Sequence, residues 1–419
     1  MKFAKLSLVA AVAVAGFTTA NAQPLEEAIK NVDVTGSVVY RYNDYANDQV
    51  AAGEDSDNTN TNNYKVALGL SSKVNDDVKF NSRFIVGSST NAGLVELDSN
   101  NHDGQADVTL SNANFAYTGV KNTTVIVGKQ GLTTPWTVAV DSDNNEQTGT
   151  GILAMSAIGP VTLAGAYFNQ TNLNASTDAV LNSTKLYDSV KGTSVLDGAT
   201  DIATVGAIAT LGPVTADAWF LDMKDVFSTY TVGAKTAQKL AGIDLTADAR
   251  YASLSFDSAV ATALKPSISS TVVEEDNSVI KLVVTADAGL IDGKLAYAKT
   301  GKEGGLTALD NDASTTLLGW NLTANGKADA DYWQAVIGID ILANLNLSTN
   351  YGNVQYKALA NSTTDVEEEE VYGQLLYKMS KNLTTYVRYG TYTKESTVGG
   401  VTTKANDDTR GRLQVEYTF

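Results

Sequence analysis

The chain has 419 residues, with 47 acidic side chains against 30 basic ones, a formal net charge of −17 and no cysteine. The lack of cysteine excludes a disulfide framework, thiolate metal sites and a cysteine nucleophile. The acidic excess argues against a nucleic-acid partner or an anionic membrane surface, because both require a basic face on the protein.

The first 22 residues have the three-part layout of a secretory signal peptide. Lys2 and Lys5 precede an apolar run from Leu6 to Phe17, and small residues follow up to Ala22. The apolar run is too short for a helix that crosses a hydrocarbon core of about 30 Å. We predict a signal peptide over residues 1–22, export from the cytoplasm, and a mature chain of residues 23–419.

From residue 32 onward, apolar and polar side chains alternate with the two-residue period of a β-strand. In the first segment, Val34, Val38 and Tyr40 share one face, and Arg41 lies on the other. The same pattern predicts about 18 strands, with a margin of two. They fall near residues 32–45, 63–74, 78–89, 107–118, 122–130, 149–158, 160–170, 201–211, 213–224, 226–238, 242–256, 277–290, 293–302, 332–342, 345–358, 368–379, 383–394 and 409–419.

Short and long connections alternate between these segments. Tight turns such as NDD, IGP and LGP are rich in residues that turns require, and long polar stretches such as TNAGLVELDSNNHDGQA lie between them. A large soluble β-sandwich has the same strand alternation, but short turns at one rim and long loops at the other are typical of an outer-membrane barrel. We therefore predict one all-β domain, a transmembrane antiparallel up-and-down β-barrel of about 16 to 18 strands, with short periplasmic turns and long extracellular loops.

The third long connection, residues 130–151, is the candidate pore constriction. It carries Pro135 and Trp136, which we expect to pack the loop against the inner wall, and the acidic residues Asp141, Asp143 and Glu146. A solvated outer loop is the alternative. Infolding is favoured because an outer loop would leave a tryptophan in water.

Basic side chains occur on the polar faces of strands that become neighbours when the barrel closes: Arg41, Lys65, Arg83, Arg388 and Arg412. An acidic loop that faces such a basic wall would create a transverse field and select solutes by size and charge. The alternative is that these charges are merely solvated and interspersed. The acidic excess of the whole chain predicts a preference for cations.

Catalysis and a required cofactor are not expected. The single histidine, His102, lies in a predicted loop, so the chain lacks an obvious general base. The acidic segments 141–146 and 366–371 offer carboxylates to calcium or another divalent cation. Neither has the glycine turn and distal glutamate of an EF-hand loop, so we expect solvated charge there, with a bound cation as the alternative.

The chain closes on an amphipathic strand whose apolar face includes Tyr417 and Phe419. A barrel in lipid has to pair its last strand with its first, because unpaired backbone groups are costly there. A terminal aromatic on such a strand resembles the signal by which outer-membrane proteins reach their insertion machinery.

Three segments and the closing strand resemble the Campylobacter-type major outer membrane proteins: PLEEAIKNVDVTGSVVYRY at 24–42, GKQGLTTPW at 128–136 and TGTGI at 148–152. The resemblance implies an abundant, weakly cation-preferring homotrimeric porin, surrounded by outer-membrane lipid and lipopolysaccharide. It also implies an epsilonproteobacterial source, and members are described as surface antigens and adhesins.

Three functions therefore compete. A porin for passive diffusion of ions and small hydrophilic solutes needs only the features described above. A substrate-specific channel would need aromatic side chains along the path, and the inward faces give no such run. A surface adhesin would use the loops. We predict a diffusion porin, which forms a trimer by burying outer-face residues such as Ala67, Leu68 and Leu70.

Overall fold

The computed structural model describes residues 32–47, 57–89, 91–96, 106–171, 187–188, 193–194, 198–264, 274–360 and 362–419. The predicted signal peptide and His102 lie outside these residues. None of the helices in the described ranges is long and apolar enough to cross a membrane.

Alternating sequence over most of the chain forms one antiparallel sheet. The sheet contains 19 strands, one of which is the two-residue piece Val95–Glu96 beside the second strand, so 18 strands of the described chain form the wall. They are β1 (Val32–Asn47), β2 (Asp57–Lys73), β3 (Val78–Gly87), β4 (Asp107–Tyr117), β5 (Thr123–Gly131), β6 (Thr148–Ile158), β7 (Val161–Thr171), β8 (Ile202–Leu211), β9 (Val214–Met223), β10 (Phe227–Leu240), β11 (Ile243–Phe256), β12 (Asp276–Asp287), β13 (Ile291–Thr300), β14 (Ala328–Leu342), β15 (Leu345–Lys357), β16 (Asp365–Lys378), β17 (Leu383–Val398) and β18 (Val401–Thr418). A short helix, α1 (Ser258–Leu264), and the small pair Tyr187–Asp188 and Thr193–Ser194 lie outside this wall.

The sheet closes on itself because β18 pairs with β1 in antiparallel register. The pairing runs from Ser37 opposite Thr418 to Asn47 opposite Asp408. The predicted closed antiparallel barrel of about 18 strands is therefore confirmed, and each of its strands corresponds to a segment predicted from the sequence. Closure leaves the wall without a free sheet edge, as a lipid environment demands.

Each strand turns one face outward and one inward. The outward faces expose large apolar side chains, including Val205, Tyr230, Leu295 and Ile337. An aqueous environment would make such a continuous apolar surface unfavourable, whereas lipid matches it. Ala67, however, is fully buried and packs on Ile85 and Ala92, so its predicted place on the outer face is wrong.

One rim of the barrel, the short-turn rim, carries connections of two to five residues: 74–77, 118–122, 159–160, 212–213, 241–242, 288–290, 343–344 and 379–382. Two of them are Gly-Pro turns, in which Gly159 and Gly212 have φ of 59° and 60°. Glycine reaches this left-handed region without strain, and such turns match the twist of the flanking strands.

The opposite rim, the long-loop rim, carries the connections 48–56, 88–106, 132–147, 172–201, 224–226, 257–275, 301–327, 358–364 and 399–400. Residues 224–226 and the glycine pair 399–400 are tight turns. The predicted segments 213–224 and 226–238 already leave a short connection at the first, whereas the second replaces a predicted longer connection, 395–408. At the second, Gly399 and Gly400 have φ of 58° and 83°. Paired glycines suit a two-residue hairpin, which lets β17 and β18 extend beyond their predicted bounds.

Candidate pore constriction

The connection between β5 and β6, residues 132–147, is anchored by Trp136. This side chain is fully buried in an apolar cluster on the inward faces of β8 to β11, near the long-loop rim. The cluster includes Leu221, Leu254 and Phe256. Burial of an aromatic of this size stabilises the loop by several kcal/mol, on the scale of about 3–5 kcal/mol lost when a buried tryptophan is truncated. The preceding Pro135 is buried, and its carbonyl oxygen accepts hydrogen bonds from Thr315 N at 3.1 Å and Thr315 Oγ1 at 3.1 Å.

The acidic half of the loop contacts the other side of the barrel. Glu146 Oε1 lies 2.7 Å from Lys65 Nζ and 3.0 Å from an Arg83 terminal nitrogen, and Oε2 accepts a 2.7 Å hydrogen bond from Ser111 Oγ. The Lys65 and Glu146 side chains are 1% and 3% exposed. Burial raises the pKa of Glu146, but Lys65 and Arg83 outweigh burial and hold that pKa below its ordinary value. The carboxylate is therefore charged at neutral pH and fixes the loop to β2, β3 and β4.

Asp143 makes a second attachment, to Arg41 on β1 and Arg412 on β18. Its Oδ1 accepts a hydrogen bond from Arg41 and lies 3.4 Å from an Arg412 nitrogen. Arg41 also donates to the Ser142 carbonyl oxygen at 2.9 Å. The Asp143 side chain is 45% exposed, so it faces the lumen as well as its partners.

Asp141 makes no salt bridge with a basic side chain of the described residues and acts within the loop. Its carboxylate accepts hydrogen bonds of 2.7 Å from both the backbone N–H and the side-chain amide of Asn145. Burial raises the pKa of Asp141 to about 7, against these hydrogen bonds, and the nearby Asp310 and Asp143 carboxylates raise it further. Asp141 therefore shapes the turn and titrates near neutral pH.

The acidic loop and the basic wall are in direct contact, so they do not face one another across an open gap as the sequence suggested. Arg41, Lys65, Arg83 and Arg412 each contact residues 142–146. Arg388 is separate from this contact, although it lies opposite Arg412 in the register of β17 and β18. Its guanidinium lies over the rings of Trp320, Tyr372 and Tyr386.

A second infolded loop, residues 301–327, was missed by the sequence analysis, which treated it as an external polar stretch. Its segment 304–310 is buried, with Leu306 and Leu309 in the same apolar cluster as Trp136. Leu309 N donates to the Trp136 carbonyl oxygen at 2.9 Å, so the two loops are joined through their backbones. The small, polar and apolar residues of this loop follow neither a strand nor a helix period. The local sequence therefore does not predict that the loop packs inside the barrel.

The acidic run 366–371 belongs to β16, where alternation divides its members between two faces. Glu368 and Glu370 point inward and hold the second loop: Glu368 pairs with Lys327 at 2.6 Å, and Glu370 accepts the Trp320 and Asn321 backbone N–H groups at 2.9 and 2.7 Å. Within the described residues, no group of three or more His, Asp or Glu side chains is arranged to hold a metal ion. A divalent cation at 141–146 or 366–371 stays a prediction.

Two cavities lie beside the infolded loops, one with a mostly polar wall and one with a mostly apolar wall. One, of about 460 Å³, is lined by Asp143, Arg388, Arg412 and residues of β12 to β16. The other, of about 530 Å³, is lined by Arg83, Gln130 and residues near the short-turn rim of β1 to β4. Residues of the infolded loops line both cavities, so the loops narrow the interior of the barrel.

The closing strand places its terminal aromatics on the outward face, where Tyr417 and Phe419 are exposed and stack on each other with ring centroids 5.8 Å apart. The backbone of Phe419 exchanges two hydrogen bonds with Gly36, at 2.9 and 3.0 Å. A Cβ atom at Gly36 would lie 2.4 Å from the Phe419 ring, so glycine allows this terminal contact.

A closed 18-stranded antiparallel wall, with an apolar exterior and a polar interior narrowed by infolded loops, defines an outer-membrane β-barrel channel. The family model of the Campylobacter major outer membrane protein matches residues 1–419, the whole chain, and the chain belongs to that porin family. It is accordingly a multi-pass β-barrel of the outer membrane. A search of curated protein sequences gives no significant match.

Solved structures with the same fold include proteins of Acinetobacter baumannii and Pseudomonas aeruginosa. Acinetobacter baumannii OccAB3 is 16% identical, with a TM-score of 0.70 over 92% of this chain and 99% of that chain. Pseudomonas aeruginosa OccK2, solved in complex with glucuronate, is 17% identical, with a TM-score of 0.67 over 92% and 98% of the two chains. Pseudomonas aeruginosa OpdK, solved with vanillate, is 17% identical, with a TM-score of 0.66 over the same shares. At these identities the likeness establishes the fold alone.

Proposed function

We propose that the protein is a porin through which ions and small hydrophilic solutes diffuse passively, with a narrow region formed by residues 130–151 and 301–327. The observation that carries the proposal is the double attachment of the first loop. Trp136 is buried against one side of the lumen, and Glu146 pairs with Lys65 and Arg83 on another. A barrel of about 16 to 18 strands otherwise encloses a wide aqueous channel, so loops that cross it decide what passes. Diffusion requires no catalytic group or cofactor.

A weak preference for cations is part of this proposal. The chain carries 47 acidic and 30 basic residues, so solution near the channel mouths is enriched in cations. Within the narrow region, Asp143 and Glu146 are offset by four basic partners, which limits the preference. The physical expectation is therefore a small selectivity that falls as salt screens the mouths over about 10 Å at 0.1 M.

We also propose a homotrimer in outer-membrane lipid and lipopolysaccharide, inserted by the outer-membrane assembly machinery. The exposed apolar side chains of the outer face support burial against a second copy or lipid. Leu68 and Leu70 keep the outward parity of Tyr64 on β2, unlike Ala67. A detergent-solubilised mass of a single chain by light scattering would contradict the trimer.

A substrate-specific channel is the second candidate, and one observation favours it. Three inward-facing aromatic side chains that the sequence analysis did not identify surround Arg388 in the cavity of about 460 Å³: Trp320, Tyr372 and Tyr386. OccK2 and OpdK, which share the fold, were solved with glucuronate and vanillate. No comparable observation among the described residues favours an adhesin.

Liposome swelling tests the diffusion porin. Vesicles that contain the protein should swell in isosmotic neutral sugars at rates that fall steadily with sugar size, without saturation. A rate that saturates with the concentration of one solute would favour the substrate-specific channel. No swelling above that of protein-free vesicles, with correctly folded protein, would refute both.

A further inference from the structure

The cavity of about 460 Å³ beside the second infolded loop has more basic than acidic side chains in its wall, and passive diffusion does not require this excess. Four basic side chains line it, against three acidic ones, Asp143, Asp312 and Glu370. The four are Lys281, Lys294, Arg388 and Arg412. Its volume lies within the range of about 300–1,000 Å³ that is typical of small-molecule sites.

Three of the basic groups have no carboxylate within salt-bridge distance in the described chain. Lys281 donates to the Ser314 carbonyl oxygen, Lys294 to Gln334 Oε1 at 2.7 Å, and Arg388 Nε to the side-chain oxygen of Gln374. An ammonium group has three donors and a guanidinium has five. Two donors on each lysine and the terminal nitrogens of Arg388 therefore have no partner within the described part of the protein.

Two neutral groups in the same wall also lack partners. Trp320 Nε1 and Thr316 Oγ1 are buried, and neither makes a hydrogen bond with any described residue. Leaving a buried polar group unsatisfied costs about 1–3 kcal/mol. These two atoms have almost no accessible surface, so they lie within the wall, and the donors that can meet a solute are those of the basic side chains.

The acidic groups of the cavity are already engaged. Glu370 accepts three hydrogen bonds from Trp320 N, Asn321 N and Asn321 Nδ2. Asp143 pairs with Arg41, and Asp312 accepts the Ser142 N–H at 2.9 Å. The unused capacity of the wall is thus almost all donor capacity that carries positive charge, and the matching solute group is an acceptor that carries negative charge.

Rings of the same cavity hold Arg388 in place. The Trp320 and Tyr386 rings lie 5.8 and 4.7 Å from its guanidinium carbon, and Trp320 packs edge-on against Tyr372. A guanidinium fixed in this way loses little conformational freedom when it binds a solute.

We propose that this cavity is a binding site on the permeation path for small solutes that carry an oxyanion group, either a carboxylate or a phosphate. Lys281, Lys294 and Arg388 supply the positive charge and the hydrogen-bond donors. The proposal rests on the channel function above and adds a class of solute to it. Cations enriched at the mouths diffuse past, whereas an oxyanion solute pauses in the cavity.

Planar-bilayer recordings test the site at about 0.1 M potassium chloride, where screening of the cavity is limited. Potassium gluconate, potassium phosphate and sorbitol are added separately at constant total potassium. Gluconate has the chain length of sorbitol and differs in its carboxylate. We expect a saturable fall in conductance with gluconate or phosphate and none with sorbitol. A fall with gluconate alone identifies a carboxylate site, and a fall with phosphate alone identifies a phosphate site. A fall with both identifies a general oxyanion site.

Lys294→Gln should raise the half-blocking concentration about tenfold, as expected for the loss of one charge-assisted hydrogen bond. Trp320→Phe keeps an aromatic ring near Arg388 but shortens the side chain that holds the guanidinium in place, so a rise of a few-fold is expected. The matched control is Lys235→Gln on β10, an exposed lysine on the inward parity of its strand that does not line the cavity. Its half-blocking concentration should equal that of the unaltered protein.

Each result decides the proposal. Equal responses to sorbitol and both anions, or an effect of Lys235→Gln as large as that of Lys294→Gln, would overturn it. The potassium conductance without added solute is recorded first for every variant. Normal conductance with no block by either anion rejects the site and leaves the porin intact, whereas no conductance from correctly folded protein rejects the porin itself.

Discussion

Replacement of Glu146 by glutamine should release the narrowing loop from the barrel wall. The carboxylate, 3% exposed, is bonded to Lys65 Nζ at 2.7 Å, to Arg83 and to Ser111 Oγ. Glutamine preserves the shape of the side chain and removes its charge. Lys65, which is 1% exposed, would then keep its ammonium group buried, with the Asn144 carbonyl oxygen as acceptor and the positive Arg83 guanidinium nearby.

The size of the effect follows from the burial of both partners. Loss of one member of a buried ion pair costs about 3–5 kcal/mol, mainly because the remaining charge is left uncompensated. Since each 1.4 kcal/mol is a factor of ten, the ratio of docked to undocked loop should fall by about a hundredfold or more. The freed ammonium and guanidinium groups would also add positive charge to the lumen.

Single-channel recording is the assay for Glu146→Gln. We expect a larger and noisier open-channel current and a reversal potential shifted toward anions. Asp76→Asn on the short-turn rim is the control, because its side chain is 95% exposed in its pair with Lys73 and exposed pairs contribute little to stability. Glu146→Gln protein with the conductance, noise and selectivity of the unaltered channel would refute the assignment of this ion pair as the attachment of the loop.

Three further outcomes follow from the same structure. Burial raises the pKa of Asp141 to about 7, so the docked loop keeps a proton that the free carboxyl releases near pH 4. Docking should therefore weaken, and current noise should grow, as the pH rises from about 4 to 7. Asp141→Asn should abolish that pH dependence, and a variant with an unchanged pH profile would contradict the prediction. Trp136→Ala should cost the docked loop about 3–5 kcal/mol and enlarge the conductance, whereas a conductance equal to that of the unaltered channel would place the anchor elsewhere. Gly36→Val should displace the Phe419 ring, which lies only 2.4 Å from the position of the added Cβ. The variant should therefore lose the faster-migrating gel band of the folded protein at a lower temperature than the unaltered protein. Ser37→Ala should not produce that shift.

The barrel was predictable because strand alternation is a local property of the sequence. Every wall strand begins and ends within about four residues of its predicted segment except β2 and β18. These two begin at residues 57 and 401, where the predicted segments begin at 63 and 409, so they extend further toward the long-loop rim. Those extensions carry polar sequence such as VTTKANDD, where the lipid-facing alternation that reveals a strand is missing. They are held by hairpin pairing, for which the pattern of apolar residues gives no signal.

The site was predictable only in part, for a similar physical reason. The basic side chains of the wall were found because barrel closure and alternation fix their face and neighbours. The contact of Asp143 and Glu146 with these same residues depends on where the loop docks, which the chain decides through Trp136 and its partners on four distant strands. Loop 301–327 was missed because its anchors, Glu368 and Glu370, lie on β16. The unexpected aromatic surroundings of Arg388 follow from that same loop.

The reversal potential in a potassium chloride gradient tests most directly the claim that the docked acidic loop controls ion passage. It is compared between the unaltered channel, the triple variant Asp141→Asn, Asp143→Asn and Glu146→Gln, and the variant in which Arg41, Arg83 and Arg412 become glutamine. The account predicts a weakly cation-selective channel, a shift toward anions in the acidic triple variant, and a shift toward cations in the basic one. Charges on a solvated outer loop would be screened within about 8–10 Å, so an unchanged reversal potential in the folded acidic variant would contradict the account.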